Sequence, residues 1–308
     1  MKLPFYTVDA FTNNTFQGAP ILVFPDADAL SEATMHTLTQ EFGFPDTVFV
    51  TKPESARNAA KFRLFKPTGQ TQFEGHATVG AAYAWLHHKP TLAAELPYQL
   101  TIEEDVGPID IRFSRASNGE IITEFIVSAE AKFDTYVPST EDMAKILSLD
   151  PEHLQSQQLS PMVTICERAY LIVPVSNSDA LRQARFSSAK WRQCTTTSTM
   201  PREIFAYAPS GDSKSTRYVA RLLGESIGPD EDPPIGSAMT AFASYLLQSD
   251  ANTASFVVER GRGHQRLSTI NVHIDQLNKG TTTIRVGGSV TLVSEGNIQM
   301  TNSGRDAA

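Results

Sequence analysis

Cysteine is scarce in this chain: two residues, Cys166 and Cys194, in 308. Neither has metal-type spacing, and two cysteines do not make the disulfide framework of a secreted scaffold. Long apolar runs are missing too. No stretch approaches the ~18 residues of a membrane span. The opening Met-Lys-Leu-Pro-Phe-Tyr-Thr-Val-Asp has no apolar core of the signal-peptide kind. Positive charge is in deficit, and the net charge of −8 argues against a broad nucleic-acid footprint. The expectation is a cytoplasmic protein with reduced thiols that engages neither nucleic acid nor membrane.

Several chemical signatures are also missing. No Gly-x-Ser-x-Gly nucleophile elbow occurs. The seven histidines form no metal-ligand spacing on a helix. Gly261-Arg-Gly-His-Gln-Arg266 resembles a phosphate loop only superficially, because it lacks the lysine and no helical pattern follows it. What remains is an ordinary globular mix, 41% hydrophobic and 19% charged, long enough for two domains.

Two related segments stand out. Gly75-His-Ala-Thr-Val-Gly-Ala-Ala-Tyr-Ala-Trp-Leu86 and Gly236-Ser-Ala-Met-Thr-Ala-Phe-Ala-Ser-Tyr-Leu-Leu247 start 161 residues apart and agree at four of twelve positions. Their spacing points to a duplicated unit, one copy in each half. Both read as helices of small and apolar residues without a polar face, which are normally buried on most sides. The simplest design is a curved antiparallel sheet wrapped around each. A glycine at each helix start exposes backbone N–H groups, and with the helix dipole these favour an anion. Two such starts facing each other would make a carboxylate site.

Around these helices the pattern is mostly strand-like. Tyr6–Ala10, Ile21–Phe24, Thr47–Thr51, Lys61–Phe65, Tyr98–Ile102, Ile109–Phe113 and Ile121–Val127 are rich in β-branched and aromatic residues. Ser117-Asn-Gly119 reads as a turn. Ser31–Phe42 reads as a helix capped by Ser31, with Met35, Leu38 and Phe42 on one face. The second half begins near residue 130. Ser139–Leu147 and Ser178–Gln183 read as helices there. Ala169–Val175, Glu203–Ala208, Thr216–Leu222, Phe256–Val258, Thr269–Ile274, Thr283–Val286 and Val290–Val293 read as strands. The expected division is 1–128, then 129–300 with its last strands able to return to the first domain, then a flexible tail at 301–308.

Four further residues have side chains suited to chemistry. His76 can donate or accept a proton near neutral pH, although a lone histidine at a helix start is more often structural. Asp232 and Ser237 precede and enter the second helix, where capping is the commonplace role. Asp46 lies at the junction of the first helix and a strand. There it is a turn former, or a general base if burial raises its pKa toward neutrality.

In order and spacing, these residues resemble the PhzF family of phenazine-biosynthesis-like isomerases, which share the diaminopimelate epimerase fold. The resemblance rests on Val8-Asp-Ala-Phe-Thr, Phe16-Gln-Gly-Ala-Pro20, Asp46-Thr-Val-Phe-Val50 and Phe65-Lys-Pro-Thr-Gly. It continues through Phe73-Glu-Gly-His-Ala-Thr-Val-Gly80, Glu231-Asp-Pro-Pro-Ile-Gly-Ser-Ala238 and Gly287-Gly288, and covers roughly residues 3 to 296. It implies an α+β fold of two similar domains, each a curled, mostly antiparallel sheet around a central helix, with the active site in a cleft between them. It implies a homodimer, no metal or organic cofactor, and a small carboxylated substrate isomerised by proton removal and return at carbon. The catalytic carboxylate falls at Asp46. Substrate-binding or proton-relay roles fall on Gly75, His76, Asp232, Gly236 and Ser237.

The chain departs from that family near these positions. The family's usual glutamate is Asp46 here, which withdraws the carboxylate by one C–C bond, ~1.5 Å. A shift of that size can cost ~100-fold in rate unless something compensates. Gln70 stands where Glu is common, Glu74 where a small residue or Cys is common, Ile235 for Thr or Ser, and Ala19 for Asn. The related epimerases use paired cysteines, and Cys166 and Cys194 lie far from both glycine starts in sequence. An isomerase with Asp46 as base leads. The alternatives are a non-catalytic binding protein that keeps the fold, and an epimerase or racemase pairing Asp46 with His76 or Asp232.

Overall fold

A computed structural model describes residues 2–154, 159–211, 216–228, 231–249, 253–261, 266–276 and 282–300. The expected tail at 301–308 and residues 262–265 of the superficial phosphate loop lie outside them. The chain divides into two compact units, residues 1–126 with 287–308, and residues 127–286.

In chain order the first unit runs β1 (Lys2–Ala10), β2 (Ala19–Phe24), α1 (Glu32–Phe42), β3 (Thr47–Thr51), β4 (Lys61–Lys66), β5 (Gly69–Thr71), α2 (Gly75–His88), α3 (Pro90–Ala93), β6 (Tyr98–Glu104), β7 (Gly107–Arg115) and β8 (Ile121–Ala129). Then follow β9 (Lys132–Asp134), α4 (Thr140–Leu147), β10 (Met162–Ile165), β11 (Ala169–Pro174), α5 (Ser178–Gln183), α6 (Ser188–Gln193), β12 (Glu203–Pro209) and β13 (Arg217–Gly224). The last elements are α7 (Met239–Ser249), β14 (Ser255–Arg260), β15 (Ser268–Gln276) and β16 (Thr282–Gln299). The unit boundaries fall inside β8 and β16.

In the first unit β1–β2, β3–β4, β6–β7 and β7–β8 pair antiparallel, while β2–β3 and β4–β6 are parallel. The sheet's helical partner is α2, which packs against β1, β2, β3 and β4. Every residue from Gly75 to Leu86 except Tyr83 is buried. That is what a helix lacking a polar face requires. Gly80 lets α2 approach closely, since a Cβ there would lie 2.4 Å from Ile21 Cδ1 and 3.2 Å from Val8 Cγ2. On another face, α1 is capped as expected, with Ser31 Oγ accepting from Thr34 N–H. Met35 and Leu38 enter a core with Phe24 and Phe49, whose rings stack at 4.9 Å. Gly43 ends α1 in the left-handed conformation, φ 64°, and turns the chain toward β3.

The second unit repeats the theme. β9–β10, β10–β11, β12–β13 and β14–β15 are antiparallel, and β11–β12 and β13–β14 parallel. α7 packs against β10, β11 and β15. Its Phe242 ring sits 4.7 Å from Tyr207, 4.9 Å from Phe205 and 5.4 Å from Phe256. A second core lies under α4, α5 and α6, built from Met143, Ile146, Leu181 and Trp191 against Leu171 and Ala206. Ser139 and Asn177 cap α4 and α5.

One expectation needs correction. The runs 283–286 and 290–293 are not two strands but parts of one, β16. Gly287-Gly288 reads as a break, yet a Cβ at Gly287 would lie 2.2 Å from the Thr123 carbonyl oxygen and 2.6 Å from Glu124 Cα. The glycine is there to let two backbones meet rather than to turn the chain. Gly287→Ala is therefore expected to destabilise the protein by about 2–3 kcal/mol, the cost of forcing atoms into filled space. Urea unfolding followed by fluorescence checks this, and an unchanged midpoint would refute the close-approach account.

Candidate active site

Asp46 sits between the end of α1 and the start of β3. Its carbonyl accepts from Leu22 N–H at 3.1 Å, which pins the residue to β2. Its side chain is only 6% exposed. His76 is the second residue of α2, and the helix delivers it to the same place, with 3% of its side chain exposed. His76 Nε2 lies 2.9 Å from Asp46 Oδ2. An ionised carboxylate only accepts, so the ring proton resides on Nε2 and His76 donates. Among the described residues, Asp46 Oδ1 and His76 Nδ1 have no hydrogen-bond partner. Two buried polar atoms, one on each member of a hydrogen-bonded pair, thus lack a partner among the described residues.

Burial alone does not set the Asp46 carboxyl. Burial does push its carboxyl up, but the charge and hydrogen bond of His76, joined by the charge of Lys66, outweigh it and hold Asp46 below its ordinary value. The carboxylate is ionised at neutral pH because of its partners, not poised near neutrality by burial.

Lys66 ends β4, and its Nζ lies 2.6 Å from Glu74 Oε1. Glu74 is the N-cap residue of α2, and its side chain makes no capping hydrogen bond. Gly75 opens the helix and is buried, so no side chain stands at the first helical position. One turn on, Thr78 Oγ1 donates to Glu104 Oε1 at 2.7 Å. Burial, with Asp105 and Glu74 adding repulsion and only the Thr78 bond opposing, raises the Glu104 carboxyl to about 8. Glu104 is accordingly a neutral acid at pH 7.

In the second unit, Asp232 does not cap a helix. The 3₁₀ turn Gly236–Ala238 that leads into α7 follows Ile235, and no side chain caps it. Asp232 Oδ2 lies 3.6 Å from Arg260 Nε, and its carbonyl accepts from Arg260 Nη2. Burial raises the Asp232 carboxyl, outweighing Arg260, Arg221 and the Gly261 N–H. Gly236 and Ser237 are both buried within the turn.

The structure thus joins Asp46, Gly75 and His76 in one unit, and sets Asp232 on the segment that leads into Gly236 and Ser237 in the other. Lys66 lies within the Phe65-Lys-Pro-Thr-Gly motif, but its partner is not legible there, and Arg260 lies in none of the motifs; each meets its partner only after β4 or β14 has formed. Among the described residues, Asp150, Glu152 and His153 are the acidic and histidine group whose ligand atoms lie within 4.8 Å of one another. The two carboxylates of that group are exposed, Glu152 within the 3₁₀ turn Pro151–Leu154 after α4 and Asp150 just before it.

A family model described as phenazine biosynthesis-like protein, PhzC-PhzF, matches residues 8–296. The chain belongs to this family. An uncharacterized isomerase from Mesorhizobium japonicum is 24% identical over 300 residues, covering 94% of this chain and 96% of the relative. The trans-2,3-dihydro-3-hydroxyanthranilate isomerase of Pseudomonas fluorescens is 26% identical, with 78% of each chain covered. Among solved structures, a PhzF-family protein from Bacillus anthracis superposes with a TM-score of 0.81 at 22% identity, covering 97% of this chain and all, 100%, of that one. A probable proline racemase from Agrobacterium radiobacter reaches 0.58 at 10% identity, covering 98% and 94%. The PhzF fold, helices on a strand-rich sheet, is therefore shared well beyond recognisable sequence identity. No helix among the described residues is long and apolar enough to cross a membrane.

Glu104 provides a stability test. Its folded value of about 8 exceeds the ordinary 4.5, so the unfolded chain loses this proton first as pH rises. Stability from this group is then lost between those two values. Glu104→Gln, neutral throughout, is expected to equal wild type near pH 4 and exceed it at pH 8 by on the order of 2–4 kcal/mol. Chemical denaturation across pH reads the difference directly. A gap that does not grow with pH would show that Glu104 is ionised in the folded protein.

Proposed function

We propose that this PhzF-family protein is a cofactor-independent isomerase that moves a proton between carbons of a small carboxylated molecule, with Asp46 as the base. The observation that carries this reading is the buried Asp46–His76 pair at the start of α2, with Oδ1 and Nδ1 unpartnered among the described residues. The names of the M. japonicum and P. fluorescens relatives support the reaction class.

The chemistry balances without an oxidant or a metal. Asp46 Oδ1 takes a proton from a substrate C–H, and the bonding pair passes into the conjugated system attached to the substrate carboxylate. The Asp46 acid so formed returns the proton at a second carbon, which leaves the carboxylate as it began. His76 holds the Asp46 carboxylate through Oδ2 and keeps Oδ1 directed. The positive end of the α2 dipole suits an anionic group of the substrate.

A second reading, binding without turnover, is favoured by the shorter aspartate side chain already engaged by His76. One experiment separates the two. Substrate C–H exchange in D₂O is followed for wild type and Asp46→Asn over a panel of small carboxylated compounds, headed by trans-2,3-dihydro-3-hydroxyanthranilate. Exchange by wild type that falls at least ~100-fold in Asp46→Asn is the expected result for a lost general base. Equal exchange in both sinks Asp46 as base, and no exchange on any compound that binds favours the binding reading. Because the Asp46 carboxyl is held down, the acid limb of kcat/KM is expected below the ordinary carboxylate range, with activity lost as pH falls through it. A limb near neutrality would assign the base elsewhere.

A further inference from the structure

The start of α2 has too much negative charge for the ligand just assigned to it. Glu74 stands at the N-cap with its side chain 7% exposed, and Asp46, 6% exposed, lies against the second residue of the same helix. Two buried carboxylates repel a third, and like-charge contact at a recognition site costs affinity steeply. Glu104 adds none at neutral pH, because it is held as the acid.

Lys66 is the cation that meets this charge. Its Nζ lies 2.6 Å from Glu74 Oε1, and its field also reaches Asp46. The ammonium has three donors, and its side chain remains 39% exposed while Glu74 is enclosed. The pair is therefore a buried carboxylate closed on its open side by a half-exposed cation. Asp46 Oδ1 and His76 Nδ1, buried and unpartnered among the described residues, mark the same helix start as the place where a ligand is met.

We propose that Lys66 and Glu74 form a charge-balancing pair that makes the α2 start selective for carboxylate-bearing ligands, with Lys66 the specificity-determining residue. The inference rests on the functional reading above only in placing a ligand at this helix start. It does not need Asp46 to act as a base.

Calorimetric titration of the full chain with benzoate and with its uncharged analogue benzamide tests it. Wild type is expected to prefer benzoate. Lys66→Met, which removes the Nζ contact to Glu74 Oε1, is expected to lose that preference by roughly tenfold or more, and Lys66→Met/Glu74→Gln to recover it to within about threefold. Glu74→Gln alone is expected to retain it. Lys66→Gln serves as a second substitution if the methionine variant does not fold by thermal melting. Wild type with no preference for benzoate overturns the proposal, as does a preference that survives loss of Lys66. A double variant as weak as the single one overturns charge balance too, and makes Lys66 a direct anchor. Binding is read without turnover, so failure here and failure of the Asp46 exchange test are separate results.

Discussion

The hydrogen bond between His76 Nε2 and Asp46 Oδ2 ties the first turn of α2 to the start of β3. Both partners are buried, and breaking one side of such a pair strands a charge in a poorly solvated place. The fold is arranged so that this does not happen. The Leu22 bond fixes the backbone of Asp46, and Gly80 lets α2 seat against Val8 and Ile21 so that His76 arrives at the right depth. Much of the first unit's order can be read as support for this one contact.

The two units handle a buried aspartate differently. In the first, a histidine and a lysine overcome burial and keep Asp46 charged. In the second, two arginines fall short, and Asp232 stays easier to protonate than an ordinary carboxylate. The difference lies in contact geometry. His76 bonds Asp46 directly at 2.9 Å, whereas Arg260 approaches the Asp232 carboxylate no closer than 3.6 Å and commits Nη2 to the carbonyl of the same residue. The two helix starts thus have two unlike electrostatic settings.

Local signals were readable where the physics is local. Ser31 and Ser139 cap their helices, and Gly119 takes φ 88° in the turn assigned to it. The apolar face of α2 foretold its burial. Signals failed where the cause lies across the fold. Gly287 looks like a strand breaker until Thr123 is seen behind it. The β9 and β10 strands are short, three and four residues, and carry too little pattern to register. Asp46 was legible as a candidate by its position and by family resemblance, but not its charge state, which depends on a histidine 30 residues away and a lysine 20 away in sequence. Lys66 and Glu74 meet only because β5 turns the chain back between them.

β16 carries a consequence for how the protein is made. Residues 290–299 pair with the whole of β1, from Ala10 back to Lys2, yet they are synthesised after every residue of the second unit. The first unit is thus discontinuous in the chain, and its opening strand leaves the ribosome long before the partner that covers its edge. Domains usually fold as their residues emerge. In this chain the order is inverted: the unit begun first is completed last, and β1 must wait with one edge unpaired while 160 residues, 127–286, are made and folded.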